Sequence, residues 1–153
     1  MFFRLVILST SASMPYTVQQ LASLSGVSIR TLHYYDKIAL LKPKRLPTNG
    51  YRQYGEKDLL VLQQILFFRE LDFSLQEIKS ILSAPSFDLK IALQDQKKLI
   101  ALKRKRLADL ISTIDKTISK LNQKTFMSDN ELYSTFSHAE ADQYAEEAKA
   151  RWG

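Results

Sequence analysis

The chain has 153 residues, 45% of them apolar and 25% charged, with a formal net charge of +6 and no cysteine. This is enough apolar material for one ordinary core with an extension, and too much for a disordered chain. The missing cysteine excludes disulfides, thiolate metal sites and cysteine nucleophiles, and the positive charge favours a polyanionic partner without separating DNA from RNA or an acidic membrane. Lys and Arg exceed Asp and Glu by four over residues 14–58 and by six over 85–124, whereas acids exceed bases by four over 125–153. The basic character thus lies in the first folded segment and in a central stretch, not in the tail.

Residues 1–13, beginning MFFRLVIL, have an apolar run like that of a signal peptide, but too short to span a bilayer. We read them as a disordered leader, with Met14 as a candidate start. Thr17 and Gln20 have capping-box spacing, and Val18, Leu21 and Ala22 supply one face of a short helix that stops at Ser25-Gly26. Ser28 caps a second helix to about Lys37, with Ile29 and Leu32 expected inward and Arg30, His33 and Tyr34 outward. Two short helices joined through a glycine turn make a helix-turn-helix.

Leu41 to Tyr54, LKPKRLPTNGYRQY, predicts a small β-hairpin, or wing, turning at Asn49-Gly50, where both residues tolerate positive φ. A third helix is expected from Glu56 to about Leu71 on Leu59, Leu62, Ile65 and Leu66. A fourth is expected from the Ser74–Glu77 capping box to just before Pro85. Asp88 to about Lys124 contains neither proline nor glycine, and apolar residues recur every seven positions at Leu93, Ile100, Leu107, Ile114 and Leu121, with Leu110, Ile111 and Ile118 widening the stripe. Such a repeat is buried best against a partner helix, so we expect an antiparallel coiled-coil arm of a homodimer; the alternative is a core helix folded back on its own chain. Gln96 and Lys103 interrupt the stripe and would help fix register. The run Lys103 to Arg106 reads as a solvated face before it reads as a nucleic-acid patch. After Thr125 the heptads end, a polar stretch follows, and a short acidic amphipathic pattern runs to Trp152.

The expected fold is therefore mainly α: a winged helix-turn-helix domain over 14–84, a dimerisation helix over 85–124 and an acidic tail over 125–153. Arg30, at the start of the second helix, offers a fork of donors suited to guanine, and Tyr34 and Tyr35 have hydroxyls for phosphates and rings for sugars. Lys44, Arg45 and Arg52 are wing cations that could reach a flanking backbone, with Tyr51 and Tyr54 as braces and Tyr54 favoured as core. Packing is an equally good account of each tyrosine taken alone. No catalytic constellation, metal site or cofactor site is recognisable, so no enzyme activity and no cofactor are expected.

Val18 through Leu41, the hairpin ending GYRQY and the stretch KDLLVLQQILFFRELDFSLQEIKSIL together resemble the MerR family of transcription regulators over about 70 residues, in the branch of multidrug-responsive activators. The resemblance implies cytoplasmic binding of double-stranded promoter DNA by a homodimer, with no membrane role. It also implies activation by DNA distortion that lets RNA polymerase read promoter elements set too far apart, with multidrug-transport genes as implied targets. Arg30, Tyr34, Tyr35, Arg45, Tyr51 and Arg52 are the implied DNA contacts. Without cysteine, the metal-sensing branch is not expected. The tail resembles the opening of a TipAS-type effector domain whose body is absent, so a small-molecule effector is doubtful, and either constitutive activity or competition with a longer homologue for its operator is the expectation. The rival readings are a non-specific DNA-packaging protein and a ligand-sequestering module built on the tail.

Overall fold

A computed structural model describes residues 14–137 and 139–152; the leader expectation for 1–13 lies outside the described residues. The chain forms two compact units, one reaching to Leu89 and including Trp152, the other spanning Lys90–Arg151.

In the first unit, α1 (Val18–Ser25) and α2 (Ile29–Lys37) form the helix-turn-helix. Thr17 Oγ1 accepts from the Gln20 amide while Gln20 Oε1 accepts from the Thr17 amide, and Ser28 Oγ accepts from the Thr31 amide. Each bond satisfies one of the donors that every helix start leaves unpaired. Between the helices Gly26 takes φ +74°, a left-handed conformation natural to glycine. The wing follows as β1 (Lys44–Arg45) and β2 (Arg52–Gln53), antiparallel, with Lys44 opposite Gln53 and Arg45 opposite Arg52.

The expected hairpin with Asn49-Gly50 in its turn is present, but only one of those two residues uses positive φ. Leu46 N donates to Tyr51 O and Gly50 N donates to Leu46 O, so four residues make the turn and only Gly50 has positive φ. Asn49 instead uses its side chain, whose Oδ1 accepts from the Tyr51 amide. Helices α3 (Glu56–Glu70) and α4 (Leu75–Ser83) complete the unit, with Asp58 Oδ2 accepting from the Gly55 amide and a reciprocal Ser74–Glu77 capping box. Leu21, Leu32, Tyr35, Leu41, Tyr54, Leu62, Ile65, Phe68, Phe73 and Ile78 are buried and form the core. The Phe68 and Phe73 rings lie 5.1 Å apart, and Phe87 lies 5.4 Å from Trp152.

Among the described residues, three helices end on a left-handed residue other than glycine. After α2, Ala39 N donates to Asp36 O and Leu40 N to Tyr35 O. After α3, Asp72 N donates to Arg69 O and Phe73 N to Phe68 O. This is the Schellman arrangement, and it puts Ala39 at φ +58° and Asp72 at φ +63°. Lys79 Nζ further donates to Ile38 O, 2.8 Å away, tying α4 to the end of α2.

The long helix α5 (Leu89–Leu121) is continuous for 33 residues and ends in the same way, with Gln123 at φ +56° and Lys124 N donating to Ser119 O. In the second unit the tail is ordered as α6 (Asp129–Tyr133), a 3-10 turn at Ser134–Phe136 and α7 (Ala139–Ala150). It covers one side of α5: Thr113 and Thr135 share a hydrogen bond of 2.9 Å, and Lys120 Nζ donates to Met127 O. Further along, Tyr144 donates its hydroxyl to the buried Asp95 Oδ1 at 3.0 Å, Arg151 lies 3.2 Å from Oδ2, and Lys98 Nζ stands 4.0 Å over the Tyr144 ring. Leu93, Ile100, Leu107, Ile111, Ile114, Ile118 and Leu121 all remain exposed, Leu110 is half-buried, and Gln96 is buried.

Candidate nucleic-acid interface

Helix α2 has one wholly exposed face. Ile29, Arg30, His33, Tyr34 and Lys37 are all exposed, and at 100° per residue they occupy about 140° of the helix circumference. Leu32 and Tyr35 point to the opposite side and are buried. Two expectations change here. Ile29 is 39% exposed rather than inward, because the first residue of α2 precedes the point where the helix meets the core. Tyr35 is only 6% exposed, so its ring belongs to the core and not to the surface, whereas Tyr34 is half-exposed. Burial raises the Tyr35 and Tyr54 hydroxyls above the ordinary tyrosine range, with nearby Arg69 and Arg52 respectively pulling them back, so both remain protonated at neutral pH.

The wing presents Lys44, Arg45 and Tyr51 as exposed side chains, with Arg52 half-buried. Tyr54 is fully buried at its base, where Tyr16 and Tyr54 exchange two backbone hydrogen bonds of 2.8 Å. Arg45 and Arg52 are direct cross-strand partners, a pairing of like charges that destabilises a hairpin when nothing offsets it. The offset comes from α2. Asp36 Oδ2 accepts from Arg45 Nη2 at 2.8 Å and from Arg52 Nε at 2.7 Å, with the Asp36 side chain 11% exposed. Sequence reasoning missed this aspartate, although a signal was present: it is the only acidic residue between Met14 and Gly55, in a segment with six Lys and Arg. No group of His, Asp and Glu among the described residues could hold a metal ion.

Two family models match the chain, "MerR HTH family regulatory protein" over residues 16–85 and "MerR, DNA binding" over 59–124. The crystal structure of the HTH-type transcriptional regulator SkgA from Caulobacter crescentus is 43% identical, covers 89% of this chain and 97% of its own, and superposes with a TM-score of 0.75. The chain belongs to the MerR family. It is also 44% identical over 144 residues to the HTH-type transcriptional activator mta of Bacillus subtilis, covering 92% of this chain and 56% of that protein. The chain thus spans about half the length of the curated relatives it matches first. HiNmlR, a MerR family regulator lacking the sensor domain and solved bound to promoter DNA, is 25% identical with a TM-score of 0.57, covering 72% of this chain and 92% of its own. The MerR helix-turn-helix model encloses both the α2 face and the wing, and the DNA-binding model ends at Lys124, just beyond α5.

Proposed function

We propose that this MerR-family chain is a cytoplasmic, sequence-specific transcription activator that binds promoter DNA as a homodimer. The observation that carries the reading is the exposed α2 face from Ile29 to Lys37, flanked by a cationic wing. A helix of this size fits the major groove, with residues near its start at the base edges. Arg30 is the base reader, Tyr34 and Lys37 serve the backbone, and Lys44, Arg45, Tyr51 and Arg52 serve flanking phosphates. Tyr35 supports them from the core.

Homodimer formation is proposed on α5. Leu107, Ile111, Ile114, Ile118 and Leu121 follow each other at intervals of four and three, all exposed, while the tail covers another side of the same helix. A heptad stripe of this kind is the seam of a two-helix coiled coil. The domain scheme follows: residues 14–84 read DNA, 85–124 pair, and 125–153 form an acidic tail that covers one side of α5. Two recognition helices and two wings held at a fixed spacing can bend and untwist the intervening DNA at a cost of a few kcal/mol, bringing promoter elements into register for RNA polymerase. No described helix is long and apolar enough to cross a membrane, which suits action at promoter DNA in the cytoplasm.

Selection of bound sites from random duplex DNA, followed by transcription in vitro from the selected site, tests the reading. A spaced near-palindrome that supports activated transcription is expected. Equal affinity for all sequences with a steep salt dependence would instead identify a packaging protein.

A further inference from the structure

A carboxylate in the middle of a DNA-binding surface needs a reason, since it repels the phosphate backbone. Asp36 is the one acid in that segment, sits on the recognition helix beside the exposed face, and accepts from both wing arginines through a single oxygen. We propose that Asp36 is a positioning residue for DNA recognition: it locks the wing to the recognition helix and aims the Arg45 and Arg52 guanidinium groups. The inference rests on the DNA-binding reading above.

The geometry specifies what the lock does. Arg52 meets Asp36 through Nε, the side of the guanidinium nearest the chain, so its two terminal nitrogens are left for other acceptors. Arg45 meets it through one terminal nitrogen and is otherwise well exposed, its side chain retaining 53% of its free surface. A planar guanidinium held on one edge offers its other donors in a fixed direction, which suits two-point contact with a phosphate; a freely rotating one does not. Asp36 also sets the distance between α2 and the hairpin, because the two arginines face each other across β1 and β2 and converge on the helix from that register. The price of a negative charge near DNA is thereby repaid in orientation.

Charge and positioning predict opposite signs for Asp36→Asn. Deleting a negative charge close to DNA should, by charge alone, tighten binding to every sequence and leave the salt slope unchanged or steeper. If Asp36 positions the arginines, affinity for the selected site should instead fall about tenfold, the scale of one displaced charge-assisted contact. Affinity for random DNA should hold or rise. The salt slope on the selected site should become shallower by about one to two units as wing phosphates are lost. A hydroxyl-radical footprint should lose its flanking protections and keep the central ones. Asp36→Glu, which retains the charge, should lie between wild type and Asp36→Asn.

Arg52→Lys provides the second test, and carries it should Asp36→Asn fail to fold: it keeps the charge but cannot donate side-on, and should reproduce the shallower slope and the lost flanking footprint. Tighter binding of Asp36→Asn to both DNAs with an unchanged footprint would overturn the positioning role alone. A wild-type chain with no sequence preference would overturn the DNA-reading assignment, and this role with it.

Discussion

Truncation of Ile114 to alanine tests whether the α5 stripe is an interface between two chains. Ile114 is 58% exposed in the single chain, so just over half of its surface is available for a partner to cover. Full burial of an isoleucine is worth about 2–3 kcal/mol, and the exposed share is then about 1.5 kcal/mol, of which alanine forfeits about 1. In a two-fold symmetric dimer the loss occurs twice, giving about 2 kcal/mol before any cavity term, or a dimer dissociation constant raised about 30-fold. The fold of one chain should change little, because less than half of the side chain was covered within it. Sedimentation equilibrium over a concentration series reads the first quantity, and thermal melting at the lowest concentration reads the second. Ser112→Ala, an exposed position on α5 away from the stripe, should leave both unchanged. An unaltered dimer constant, or a single chain destabilised by more than about 2 kcal/mol, would mean that the stripe packs within its own chain and that the pairing argument fails.

Arg30→Ala should cost about 1–3 kcal/mol on the selected site and relax base preference at one position, whereas an equal loss on random DNA would leave Arg30 a mere phosphate contact. Ala39→Gly should raise stability by about 0.5–1 kcal/mol in urea titration, since left-handed backbone costs an L-residue about 1–2 kcal/mol and glycine returns part of the relief as chain entropy. The reciprocal change Gly26→Ala should cost about 1 kcal/mol for backbone reasons alone, because a Cβ added there meets nothing within 4 Å. Asp58 is held above the ordinary carboxylate range, chiefly by burial and against the pull of the Gly55 amide. Its contribution is therefore present in full below the ordinary carboxylate pKa and lost as pH rises through the raised one. Asp58→Asn, which keeps an acceptor for Gly55, should flatten that part of the stability–pH profile, while Asp58→Ala should cost about 1 kcal/mol through the lost cap.

Helix starts were legible because they are written in side chains: Thr17, Ser28 and Ser74 each place an oxygen where unpaired amides need one. Ser128 and Glu131 carry the same signal and open α6, although the stretch reads first as merely polar. Helix ends were less legible. Ala39, Asp72 and Gln123 adopt a glycine-like conformation that their composition does not announce, and α5 accordingly stops three residues before Lys124. Of the interface, the α2 face followed from helical spacing once Leu32 was placed inside. Periodicity alone could not show that Ile29 stays outside while Tyr35 turns in, because both sit at the margins of the apolar arc. Asp36 was hidden for another reason: its partners lie nine and sixteen residues away on strands of two residues each, a proximity that only the wing's register creates.

The paired amides of Tyr16 and Tyr54 give the wing a kinetic character as well as a shape. Each donates to the other's carbonyl, so neither proton can exchange with solvent until the lead-in to α1 and the exit from the wing separate together. In hydrogen-exchange terms the two segments form one opening unit, although nearly forty residues lie between them in the chain. Damage to the lead-in at Tyr16 would then be felt as faster opening of the hairpin, and a protease that samples open states would cut the wing loop first.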